Sequence, residues 1–107
     1  VEIRNLSRLV VLNLAQNHFT GLPEVIFQLE KLEELDLSSN KIVQVPAAIG
    51  KLTRLKYLNL SDNKIKSFPD EISLLQGLKS LDLRNNPLAH QRTKISALLP
   101  NCNILFD

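Results

Sequence analysis

The chain has 107 residues, 44% of them apolar and 22% charged, which sets the expectation of one globular domain and excludes a disordered or collagen-like chain. Thirteen Lys and Arg against eleven Asp and Glu leave a net charge of +2, too balanced for a nucleic-acid binder driven by counterion release. No apolar run nears the roughly 20 residues that span a bilayer, no basic-then-apolar leader is visible, and Cys102 stands alone, without a disulfide or CxxC partner. A lone cysteine fits a reducing, cytoplasmic compartment, while Val1 is not an initiator Met, so removal of a leader leaves secretion or surface display open. Leucine fills 22 positions, and Trp and Met are absent. A core of one aliphatic residue implies one packing solution used repeatedly.

In chain order, residues 1–8 come first. Ile3 and Leu6 stand 23 positions before Ile26 and Leu29, so this segment reads as the tail of an incomplete repeat. Copies follow at 9–31, 32–54, 55–77 and 78–100. Leu9, Leu32, Leu55 and Leu78 open them; Leu12, Leu35, Leu58 and Leu81 come next, then Leu14, Leu37, Leu60 and Leu83. Asn17, Asn40, Asn63 and Asn86 close each block. Apolar residues two apart in L-x-L have strand period and point to one side. A unit of 23 residues cannot bury that row alone, but a stacked neighbour can, each copy adding a short parallel strand about 4.8 Å from the last. The four Asn turn inward, where an amide has donors and an acceptor for otherwise unpaired backbone groups.

Leu22-Pro23, Val45-Pro46 and Phe68-Pro69 bias the residue before each Pro to extended geometry. Ile26/Leu29, Ile49/Leu52 and Ile72/Leu75 then predict single 3₁₀ or α turns. In the last copy Gln91-Arg92 replaces Leu-Pro, predicting a short helix over 92–99 with Ile95 and Leu98 facing inward. Residues 101–107 are a degenerate terminal copy, with Ile104 and Phe106 in the strand slots of Leu81 and Leu83.

The motif L-x-x-L-x-L-x-x-N-x-I-x-x-L-P-x-x-I-x-x-L resembles the leucine-rich repeat family over essentially the whole chain. The segment 99–106 resembles caps that close many bacterial members, a weaker match than the repeats. The resemblance implies an α/β right-handed solenoid, gently curved, with short parallel strands on the concave face and short 3₁₀ or α turns on the convex face. It also implies that the variable residues of the concave face bind a partner protein.

Strand alternation puts Val11, Glu34, Tyr57 and Ser80 in one outward row, and Asn13, Asp36, Asn59 and Asp82 in the next. Lys56 flanks them on one side and Arg84 on the other. Tyr57 is the best contact anchor, because Tyr supplies large area at low entropy cost. Asp36 and Asp82 share a row two strands apart, about 10 Å by strand spacing, too far to share a proton. Alternation of Asn and Asp there avoids like charges on adjacent strands. Lys41, Lys64 and Lys66, with His18, read as solvated edge residues. Nothing calls for a cofactor, and no Cys/His cluster offers a metal site. The expected function is a non-catalytic protein-interaction module. The alternatives are a regulatory or targeting segment of a larger enzyme or effector (GTPase, kinase or secreted effector), and a surface protein self-associating through the uncovered Leu9/Leu12/Leu14 end.

Overall fold

The computed structural model, which describes residues 8–88 and 90–107, uses the L-x-L spacing as a chain of three-residue strands. These are β1 (Val11–Asn13), β2 (Glu34–Asp36), β3 (Tyr57–Asn59), β4 (Ser80–Asp82) and β5 (Asn103–Leu105). All pair in parallel, in chain order, in one open sheet. The register never slips from the 23-residue offset: Leu12, Leu35, Leu58, Leu81 and Ile104 stand opposite one another in turn. Backbone pairing runs past the strand ends, with the Leu37 N–H donating to Asn59 O and the Leu60 N–H to Asp82 O, both at 2.9 Å. The result is the expected curved solenoid, with the sheet lining its concave side.

The return path is short because proline starts it. Pro23, Pro46 and Pro69 sit at ψ of 134°, 160° and 153°, just before 3₁₀ turns at Glu24–Gln28, Ala47–Lys51 and Asp70–Leu74. A 3₁₀ turn eclipses residues three apart. Accordingly Ile26 with Leu29, Ile49 with Leu52, and Ile72 with Leu75 all reach zero exposure behind the sheet. Helix α1 (Arg92–Leu98) replaces the fourth turn. Ile95 is fully buried on its inward face and Leu98 packs half-buried against the core, as the spacing predicts, while Leu99, just past the helix, is buried beside them. On an α-helix the positions three and four ahead both return to the face of the starting residue, so Leu98 lies on the side of Ile95.

Gly50 shows how closely neighbouring turns approach. A Cβ there would lie 2.8 Å from Leu74 Cδ1 and 3.0 Å from the backbone oxygen of Glu71. The leucine methyl can swing away, but the carbonyl belongs to the next 3₁₀ turn and cannot. Gly50→Ala is therefore expected to destabilise by about 1–2 kcal/mol, as mild overpacking does. Gly77→Ala, whose nearest atoms would be 4.0 Å away, is expected to cost less than about 0.5 kcal/mol. Urea midpoints of the two variants test this, and equal midpoints would show that the turns slide apart freely.

The expected repeat tail lies, from residue 1 to residue 7, outside the described residues. Leu9, Leu12 and Leu14 are half-buried and pack against the core from β1. Inward from them, Leu32, Leu37, Leu55 and Leu60 are completely enclosed.

Candidate functional site

Two polar ladders run along the strand-exit edge of the concave face, and both are structural. The first is the expected asparagine ladder. Asn63 Nδ2 donates to the carbonyls of Leu37, Leu60 and Ser61 at 3.0–3.1 Å, while its Oδ1 accepts the Ile42 N–H at 3.0 Å. Asn40 and Asn86 repeat this arrangement one coil away on either side. Asn17 donates to Leu14 and Ala15 and is exposed. One residue before each of these Asn, the chain turns through the left-handed region, at Gln16, Ser39, Asp62 and Asn85, with φ of 56–59°.

The second ladder is the row Asn13, Asp36, Asn59 and Asp82, which the sequence assigned to a partner. In each, Oδ1 accepts the backbone N–H two residues on: Ala15, Ser38, Ser61 and Arg84, at 2.9–3.1 Å. Ser38 and Ser61 add their hydroxyls at 2.7 and 2.8 Å. This is a side chain closing its own strand exit, the turn chemistry typical of Asx residues. The row is shared between holding the turn and facing the groove.

Asp82 is the most committed member, at 8% exposure. Arg84 reaches back over it, with Nε 3.0 Å from Oδ1 and the guanidinium 2.7 Å from Oδ2. That side-chain hydrogen bond holds the Asp82 carboxyl below its ordinary value of 3.8, against the upward push of burial and with help from the Arg84 N–H and charge. Arg84 is stabilised as a cation by the same contact. A folded-state pKa below the unfolded one means the stabilisation is complete above that ordinary value and is lost as pH falls through the folded value. Asp82→Asn keeps an acceptor for the Arg84 N–H, as Asn59 does for Ser61, but removes the titration. It is expected to flatten the fall of the urea midpoint between about pH 5 and about pH 2. The same acid loss in both proteins would assign it to other carboxylates.

The outer row carries no such structural duty. Val11, Glu34, Tyr57 and Ser80 stand in register across β1 to β4, with Val11 53% and Tyr57 45% exposed. Lys56, at the edge of the row, pairs with Glu33 at 3.3 Å. A groove of about 310 Å³ runs over the sheet, lined by Val11, Glu34, Asp36, Tyr57, Asn59 and Ser80 among others. Asp36 and Asp82 face it from either side of Asn59. Elsewhere, Lys41, Lys64 and Lys66 are exposed. Cys102 is half-buried against the core, and burial pushes its thiol pKa up. No helix among the described residues is long and apolar enough to cross a membrane.

Against this geometry, comparison with family models matches the leucine rich repeat over residues 3–42 and 43–88, and a second leucine rich repeat model over 77–102. Comparison with curated proteins finds no match. Among solved structures, the chain is similar to a leucine-rich repeat protein of Leptospira interrogans, at 40% identity and a TM-score of 0.91 over 95% of the chain. It is also similar to InlP of Listeria monocytogenes, at 30% identity and a TM-score of 0.67 over 77% of the chain. The chain spans 26% of the first of those proteins and 22% of the second.

Proposed function

Because the chain belongs to the leucine-rich repeat family, whose members are generally protein-interaction modules, we propose that it is a non-catalytic module binding a partner protein on its concave sheet. One observation carries the reading. Of the five large apolar side chains exposed among the described residues, Val11 and Tyr57 belong to the outward row of the sheet and line its groove on either side of Glu34, Val10 precedes β1, and Val43 and Leu74 lie on the return path. The row of Val11 and Tyr57 stands on a sheet whose strand exits are closed by two ladders of hydrogen bonds, so a contact made there costs little ordering. Tyr57 is the anchor, at the middle strand, with Val11, Glu34 and Ser80 in its row and Asn13, Asp36, Asn59, Asp82, Lys56 and Arg84 around it.

Five strands at about 4.8 Å, each presenting three to five residues at about 3.3 Å, offer about 250–400 Å² of concave surface. A standard interface takes about 800 Å² from each partner. The isolated chain therefore binds weakly, and tight binding draws on surface beyond the sheet. The test is capture from the source organism followed by titration of the captured protein against variants. Val11→Ala with Tyr57→Ala is expected to abolish capture, whereas Val43→Ala with Leu74→Ala, on the return path, leaves it intact. Equal capture by both doubles would move the site off the concave face.

A further inference from the structure

Resting on the concave-face reading, we propose that the groove over β2 and β3 seats a lysine or arginine side chain of the partner. Its cationic head lies against Glu34 and Asp36, and its aliphatic stem lies between Val11 and the Tyr57 ring.

The charges of the sheet divide unevenly. Glu33 is matched by Lys56 at 3.3 Å and Asp82 by Arg84 at 2.7 Å. Glu34 and Asp36 enter no ion pair among the described residues, and they stand two apart on β2, hence on the same side of the sheet. Glu34 has Val11 on one neighbouring strand and Tyr57 on the other, so its carboxylate rises between two exposed apolar walls. Asp36 gives Oδ1 to the Ser38 N–H and hydroxyl, and its Oδ2 has no hydrogen bond among the described residues.

These groups line one open groove of about 310 Å³ along the sheet, enough for one long side chain. Charge complementarity selects the occupant. An apolar side chain would strip water from two carboxylates and return nothing to them. An acidic one would meet like charge. A lysine or arginine lays its stem along Val11 and Tyr57, as long cationic chains do on apolar surface. Its head makes charge-assisted hydrogen bonds to the carboxylates and sits near the ring face, where a cation is attracted.

The experiment is an NMR titration of the ¹⁵N-labelled chain at low salt with N-acetyl-arginine-methylamide, and with its citrulline counterpart, which has the same shape and no charge. Arginine is expected to shift amides 34–36 and 57–59, saturating at millimolar concentrations, with citrulline about tenfold weaker. Glu34→Gln with Asp36→Asn is expected to remove the difference between the two probes. That variant keeps the turn, because an asparagine accepts the i+2 N–H as Asn59 does, and its own spectrum reports its fold. Equal shifts by arginine and citrulline, or arginine shifts unchanged in the double variant, would overturn the proposal. If the captured partner's footprint still covers Tyr57 in that case, only the cation falls. A footprint on the return path would take the concave-face reading with it.

Discussion

Asn63→Ala is expected to lower the stability of the chain by about 3 kcal/mol, because it leaves buried polar groups of two successive coils without partners. The amide serves the carbonyls of Leu37, Leu60 and Ser61 and the N–H of Ile42. Asn63 is 6% exposed, so water does not take over these bonds. Asn63→Asp should be at least as damaging near neutral pH. Its oxygens can still accept from Ile42, but a carboxylate then faces three carbonyl oxygens with nothing to donate. Protonation relieves that clash, so the aspartate variant should recover part of its deficit on acidification while the alanine variant does not. Asn17→Ala, at an exposed site, should cost less than about 1 kcal/mol. Urea unfolding followed by circular dichroism measures all three, and equal costs at 17 and 63 would remove the bridging role.

The second large effect is expected in the leucine column. Leu14 is half-buried, whereas Leu37 and Leu60 are wholly enclosed and Leu83 nearly so. Leu60→Ala should therefore cost about 3–5 kcal/mol, a large fraction of the roughly 5–15 kcal/mol of a typical domain. Leu14→Ala, with part of its side chain already in contact with solvent, should cost about half as much. The location adds a second signature. In a solenoid each unit touches only its neighbours, so a cavity at the middle coil loosens its contacts with both sides. The denaturation slope of Leu60→Ala should fall as the two halves begin to unfold separately, while that of Leu14→Ala stays near the parent value. Identical slopes with a lowered midpoint would mean that the five strands still melt as one.

The repeat frame was readable from the residues because one constraint acts at one offset. Leu12, Leu35, Leu58 and Leu81 meet in register, and a slip by one would turn each of them to solvent. Less readable was the division of labour in the row from Asn13 to Asp82. Alternation alone says that these side chains leave the sheet outward, but not that they bend back to their own backbone. The signal was present as an Asx residue followed two later by Ala, Ser, Ser and Arg, with hydroxyls at the two central places. Asp82 was a further step beyond pattern reading, since its burial depends on where the long Arg84 side chain folds.

The constant 23-residue register also determines how the chain can find its fold. The amide bonds of Asn40, Asn63 and Asn86 to the preceding coil span only 21 or 26 positions, and strand partners lie 23 apart along the whole sheet. Closing a loop of that length costs about 3 kcal/mol of chain entropy, apart from a constant, and the cost is the same for every coil. The first closure has no neighbour to stack on and is the slow step. Each later coil docks on a surface already in place. The folding time of such a chain follows the rarity of that first contact rather than the number of coils, and any adjacent pair can supply it.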